Sequence, residues 1–276
     1  MSASSAAAPL WSILPTALAA FQAALHAASP ASLTWDQYCM DIAEEKNQSR
    51  LDLRTGLLIL PISGILYRGA PAESEAFYDT YDSARIDAAA AFAATDPRVR
   101  SLLLIWDSPG GYCQGMDSTL ASLQALQTSR PDLPITSLVA GQCCSMAYIF
   151  ANAAGRIEAL PGTTIGSIGV MAVTTDSSAL YRTAGIERRL ITDGIYKGMG
   201  TPGIPWTAEW YASVEASVAA LSITIRAGIL DRRPALTIED MQGQVWESAQ
   251  APAAMLDALS SAPSIEDYIE EYAARI

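Results

Sequence analysis

The chain has 276 residues, half of them hydrophobic and 17% charged, enough for a sizeable core in one main domain with an appendage. A formal net charge of -12 argues against nucleic acid as a partner, because phosphate binding needs clustered Lys and Arg. The four cysteines, Cys39, Cys113, Cys143 and Cys144, have no zinc-ligand spacing and make no extracellular disulfide framework, so the expected compartment is reducing and cytoplasmic.

Residues 1–54 read as an N-terminal helical arm with its linker. Ala6 to Ala28 is apolar and Ala-rich, yet the first basic side chain is Lys46, whereas a secretory signal places basic residues before its apolar run. Pro9, Pro15, Gln22 and His26 break the run, so no membrane span is expected there. His26 is the sole histidine and belongs to this arm. The polar stretch Glu44 to Arg54 reads as the linker, with Lys46 a solvated charge.

Gly56 to Tyr67 predicts a buried strand bent near Pro61 and Ser63-Gly64. Glu73 to Ala94 predicts a helix, stopped by Asp96-Pro97. Ser101 to Trp106 predicts a central strand running into the sharp loop Asp107-Ser108-Pro109-Gly110-Gly111. Gln114 to Thr128 predicts a helix. Ile135 to Ala140 predicts a strand that turns through Gly141-Gln142-Cys143-Cys144-Ser145 into a helix over Met146 to Ala154. Arg156–Leu160 predicts a strand, and a turn at Pro161-Gly162 leads to Gly166-Ser-Ile-Gly-Val-Met-Ala-Val173. Ser177–Thr183 predicts a helix and Glu187–Thr192 a strand. Asp193–Pro205 is a Gly/Pro-rich loop, and Thr207 caps a helix reaching about Leu230. The remainder reads as mostly helical and acidic. Strands alternating with helices through short loops make an α/β fold.

In such folds the loops after strands build the site. None of the glycine-bearing turns matches a nucleotide fingerprint, and no cofactor or metal is implied. Ser145 stands where a strand gives way to a helix, a place that exposes a hydroxyl beside helix N-terminal amides. The same position also suits a plain helix cap. A nucleophilic serine needs a base. The sole histidine lies in the arm, and a cysteine nucleophile would meet the same want of a histidine. Of the 17 basic residues only Lys46 and Lys197 are lysines. Arginine keeps its proton, whereas a desolvated lysine can act as a base. Lys197 lies in a nearly uncharged run from Gly194 to Trp206, so it is the candidate base. Backbone amides of Gly110, Gly111 and Met146 could hold an oxyanion, and Ser167 could hydrogen-bond the lysine amine.

These landmarks together resemble the S49 family of serine peptidases, the signal peptide peptidase A group and its phage relatives. The matching residues are Asp107-Ser-Pro-Gly-Gly111, Ser145 with Met-Ala-Tyr148, Gly166-Ser-Ile-Gly-Val170 and Tyr196-Lys197. The resemblance runs from about Gly56 to the C-terminus, which makes 55–276 the peptidase domain. It implies a ClpP/crotonase-like fold, with Ser145 as nucleophile, Lys197 as general base and Ser167 orienting the lysine. It also implies an oxyanion hole of Gly110 or Gly111 with Met146.

Lys197-Gly-Met-Gly-Thr-Pro-Gly-Ile-Pro205 and the lead-in Ile-Leu-Pro-Ile-Ser-Gly64 are most similar to the phage head maturation proteases. These cleave scaffold and capsid proteins in the host cytoplasm or inside the prohead, and family members form homo-oligomeric rings. Other readings stay open: a protease degrading signal peptides, a crotonase-like acyl-CoA enzyme, and an inactive assembly protein. The chain departs from the family at Ser145-Met-Ala, where Met146 could narrow a specificity pocket. Cys143-Cys144 replaces residues that are often alanine, and Met255-Leu-Asp257 replaces a Gly-Leu-x-Asp pattern.

Overall fold

A computed structural model describes residues 34–276. The expectations for Ala6–Ala28 and His26 fall outside the described residues. The chain is an α/β protein. Strands β1 (Arg50–Asp52), β2 (Leu57–Ser63), β5 (Ser101–Ser108), β6 (Ile135–Cys144), β7 (Arg156–Ala159) and β10 (Ala258–Leu259) lie side by side in that order. All neighbours are parallel except β1 with β2. The upper end of β6 continues the sheet onto β8 (Thr164–Gly166), which pairs antiparallel with β9 (Val245–Glu247). A small second sheet joins β3 (Ile65–Tyr67) and β4 (Thr80–Asp82) in parallel.

The sheet is buried on both faces, which is why its central strands are continuous apolar runs. In β5, Leu102, Leu104 and Trp106 face one core while Leu103 and Ile105 face the other. The first core is covered by α3 (Ala84–Thr95), α4 (Met116–Ser129) and α5 (Met146–Ala154). The second is covered by α8 (Ile265–Ala273), whose Tyr268 and Tyr272 are buried on it. Tyr272 is a pin: its hydroxyl lies 2.9 Å from Ser101 Oγ and donates to Thr136 Oγ1 at 3.0 Å.

Several sequence expectations are corrected here. The predicted helix over Glu73 to Ala94 is two helices, α2 (Ala72–Phe77) and α3, separated by β4. Thr80 and Tyr81 suit a strand, and β3 offers the open edge. The stretch Glu44 to Arg54 holds the end of α1 (Trp35–Asn47) and all of β1. Helix α1 packs on the body through buried Cys39, Ala43 and Asn47. Its anchor is the buried Glu75 carboxylate, which accepts from Asn47 Nδ2, the Asp82 amide, and Arg85 Nε at 3.0 Å. No strand forms over Glu187–Thr192, where the backbone has no neighbouring edge and the side chains are mostly exposed. Beyond α6 (Ser178–Thr183) and α7 (Ala208–Arg232) the chain is largely short turns and the strands β9 and β10, with α8 its one full α-helix.

The end of α7 is fastened by Arg233, which is buried. It donates to Asn152 Oδ1 at 3.0 Å, to Ala254 O at 2.9 Å and to Asp257 Oδ2 at 2.8 Å. Asp257 in turn accepts the Ile157 amide at 2.7 Å. This knot ties α5, α7 and β7 together, so the Asp of the altered Met255-Leu-Asp257 pattern is structural.

Candidate active site

The turn from β6 into α5 places Ser145 at φ 53° and ψ -122°. Among the described residues, only Ser145 and Ser167 (φ 50°) take a positive φ without being glycine. Such a backbone costs about 1–3 kcal/mol and persists only where neighbours enforce it. The enforcement is visible. The Ser145 amide donates to Gly166 O at 2.8 Å, and Ser145 O accepts the Ile149 amide at 3.1 Å as the helix begins. Helix α5 is buried along most of its length, from Met146 through Asn152. An ordinary helix cap needs no such strain. Here the strain turns the half-buried Ser145 out of a rigid strand–helix corner.

The loop after β5 closes on this corner. Ser108 Oγ donates to Gly64 O at 2.7 Å and accepts the Gly110 amide at 3.1 Å. Leu66 N donates to Gly110 O at 2.8 Å, and Tyr112 N donates to Leu66 O at 2.9 Å. Both glycines are sterically required. A β-carbon on Gly110 would stand 2.6 Å from Ser145 Cβ, and one on Gly111 would stand 2.1 Å from Leu66 O. The Gly110 amide is thus engaged by Ser108. The Gly111 amide, in the parallel bridge to Leu66, points away from β3. The Met146 amide is the first of α5 and has no intrahelical acceptor. The Met146 amide lies beside the serine, 3.0 Å from where a β-carbon on Gly110 would stand. The Met146 side chain is buried in the core.

Asp107 has a role that the sequence did not disclose. Its Oδ1 accepts the Gln142 amide at 3.0 Å, and a β-carbon on Gly141 would lie 2.2 Å from the same oxygen. The carboxylate therefore braces the register shift between β5 and β6 just before the serine. The two cysteines beside it are inert thiols. Burial pushes Cys143 well above its ordinary pKa and raises Cys144 as well, against a smaller opposing pull from its hydrogen bond with Thr164. Neither is a thiolate nucleophile at neutral pH.

Ser167 follows β8 directly and is half-buried. Its amide donates to Gln244 O at 2.5 Å, and Gly243 N donates to Ile168 O at 3.0 Å. Ser145 and Ser167 are therefore linked through the intervening Gly166 carbonyl.

Lys197 stands apart. Its amide donates to Gly194 O at 3.1 Å, but its side chain is exposed. Among the described residues no ion pair involves it, and no hydrogen bond joins its amine to Ser145 or Ser167. The expected desolvation is not present in the single chain. The segment that carries it runs over the surface, with Ile191 89% and Ile195 70% exposed. Gly110 meets Ser145 and the Met146 amide at this corner, Ser167 is linked to Ser145 through Gly166, and among the described residues no hydrogen bond or ion pair joins Lys197 to them.

Residues 128–257 match the model described as Peptidase family S49. The chain is 31% identical over 148 residues to capsid assembly protease C of Escherichia phage lambda, covering 53% of this chain and 33% of that protein. It is 31% identical over 143 residues to head-tail preconnector protein GP5 of Enterobacteria phage P21, covering 51% of this chain and 28% of that protein. It is also 27% identical over 166 residues to protease 4 of Salmonella typhi, covering 58% of this chain and 26% of that protein. The matched region spans about a third or less of the length of each of these relatives. A solved structure from Magnetospirillum magneticum AMB-1, provisionally described as an enoyl-CoA hydratase/carnithine racemase, covers 83% of this chain and 73% of its own. Its TM-score is 0.41 at 14% identity, a likeness on which no argument rests.

Proposed function

We propose that this relative of the S49 peptidases is a serine endopeptidase in which Ser145 is the nucleophile and Lys197 the general base. The observation that supports the reading is the strained Ser145 corner, closed by Gly110 beside the Met146 amide. Ser145 Oγ attacks the scissile carbonyl carbon while the neutral Lys197 amine takes its proton. The Gly111 and Met146 amides hold the resulting oxyanion. Lys197 then gives the proton to the leaving amine, and the acyl group remains on Ser145. Water attacks that ester, loses a proton to Lys197, and the proton returns to Ser145 Oγ. Ser167 donates to the amine and keeps it aimed and neutral.

The exposed position of Lys197 sets a condition on this scheme. The amine must leave water before it can be neutral near pH 7. The homo-oligomer expected of the family provides the means: the apolar surface around Met171, Val173, Ile191 and Ile195 is the part of the chain that a second copy would cover. Helix α7 belongs to the same face. Among the described residues it alone is long and apolar enough to cross a membrane by length and composition. Its far end is tied into the body by buried Ile225 and Ile229, which suits a contact surface better than a span.

The substrates are scaffold and capsid proteins in the cytoplasm of a phage host. The similarity to the two phage proteins, over about half of this chain in each case, supports this. An acyl-CoA enzyme or an inactive assembly protein has no use for the strain at Ser145. Co-expression of the full chain with the capsid and scaffold proteins of its source tests the reading. Wild type is expected to shorten them and Ser145→Ala to leave them whole; equal processing by both would sink it.

A further inference from the structure

We infer that Gln244 is a positioning residue for the site, acting on Ser167 through the turn that precedes β9. The inference rests on the peptidase reading above and extends it to a residue outside the serine corner.

Ser167 cannot hold its left-handed backbone unaided. The strand beside it does so. Ser167 N donates to Gln244 O, Gly243 N donates to Ile168 O, and Gly166 lies opposite Val245. Gly166 also packs against Trp246, whose Cδ1 would be 3.0 Å from a β-carbon placed there. The backbone on both sides of Ser167 is therefore zipped to residues 243–246. That strand is short, and its shape is set by the Gln244 side chain. Gln244 Oε1 accepts the Gln242 amide at 2.8 Å, and Nε2 donates to Glu239 O at 2.7 Å. The turn so closed is tied to α7 by Arg226, which donates to Met241 O at 2.9 Å. One amide side chain thus fixes the carbonyl that fixes Ser167. It does so from a half-buried position, with no contact to the reacting atoms.

Loss of the side chain frees the turn, and with it the Ser167 hydroxyl that the proposed function sets against the lysine amine. The test is a double-mutant cycle on the full chain with a peptide from the processed capsid protein, using Gln244→Ala, Ser167→Ala and the pair. Gln244→Ala is expected to lower kcat on the order of tenfold with KM unchanged. In the Ser167→Ala background it is expected to add nothing. Gln244→Glu, which keeps the acceptor for Gln242, is expected to recover part of the loss. Multiplicative losses in the cycle would overturn the proposal, since a general structural role predicts them.

Hydrogen exchange in the same proteins reads the positioning directly. The Ser167 amide is expected to exchange faster in Gln244→Ala than in wild type, and unchanged exchange would overturn the proposal whatever the activity. A wild type that cleaves nothing while this exchange difference holds would instead count against the peptidase reading alone.

Discussion

Gly110 lies so close to Ser145 that a β-carbon on the glycine would stand 2.6 Å from the β-carbon of the serine. The loop after β5 and the corner after β6 are thus fitted to each other at the point where chemistry is proposed. Gly110→Ala must open that contact, and Gly110 is itself at φ 101°, where a side chain is strained. The variant is expected to lose roughly 1–3 kcal/mol of stability and nearly all hydrolysis. Thermal melting together with peptide hydrolysis reads both effects; an active, undisturbed variant would show that the two loops are not coupled.

The strain at Ser145 gives a prediction of opposite sign. At φ 53° and ψ -122° glycine is relaxed and serine is not. Ser145→Gly is expected to gain about 1 kcal/mol in stability while losing all activity, and Ser145→Ala to lose activity without that gain. Chemical denaturation of the three proteins measures it.

The docking of α1 depends on Glu75, whose side chain is 5% exposed and pairs with Arg85. Glu75→Ala strips Asn47 and the Asp82 amide of their acceptor and leaves Arg85 paired with Glu44 alone. A loss of about 1–3 kcal/mol is expected, as for buried polar groups left unpaired. Hydrogen exchange over residues 35–47 should rise more than over β5.

Acid stability has a named contributor. Burial pushes the Asp257 carboxyl up, but the Ile157 amide and the Arg233 guanidinium outweigh it and hold the pKa below its ordinary value. A group with a lowered folded pKa stabilises above its unfolded pKa, near 4, and that support fades as pH falls through the folded value. Melting temperature followed downward from about pH 5 is expected to fall more steeply for wild type than for Asp257→Asn.

Much of the site was legible because it is local. Apolar runs predicted β2, β5 and β6, and helix α5 has the predicted bounds Met146 to Ala154. The Thr207 cap accepts the Trp210 amide at 3.3 Å, as its place before α7 implies. The placement of Ser145 at a strand–helix junction needed nothing more than those neighbours. What escaped was non-local. Asp107 reads as a loop acid until the bulge at Gly141-Gln142 is seen across from it. Gln244 lies 77 positions from Ser167 and carries no motif. The nearly uncharged run around Lys197 suggested burial, but polarity of sequence says nothing of whether another surface covers it. Likewise Glu44 to Arg54 looks like a linker because its charged groups find Arg85 and Glu75 only in three dimensions.

The most direct test of the dyad is covalent labelling of the full-length protein by a fluorophosphonate, located by mass spectrometry, in wild type and Lys197→Arg. The account predicts a single adduct on Ser145 in wild type. In Lys197→Arg, which keeps the charge but cannot give up a proton, the rate should fall by about 10²–10⁴. An adduct elsewhere, or equal labelling of Ser145 in both proteins, would contradict it.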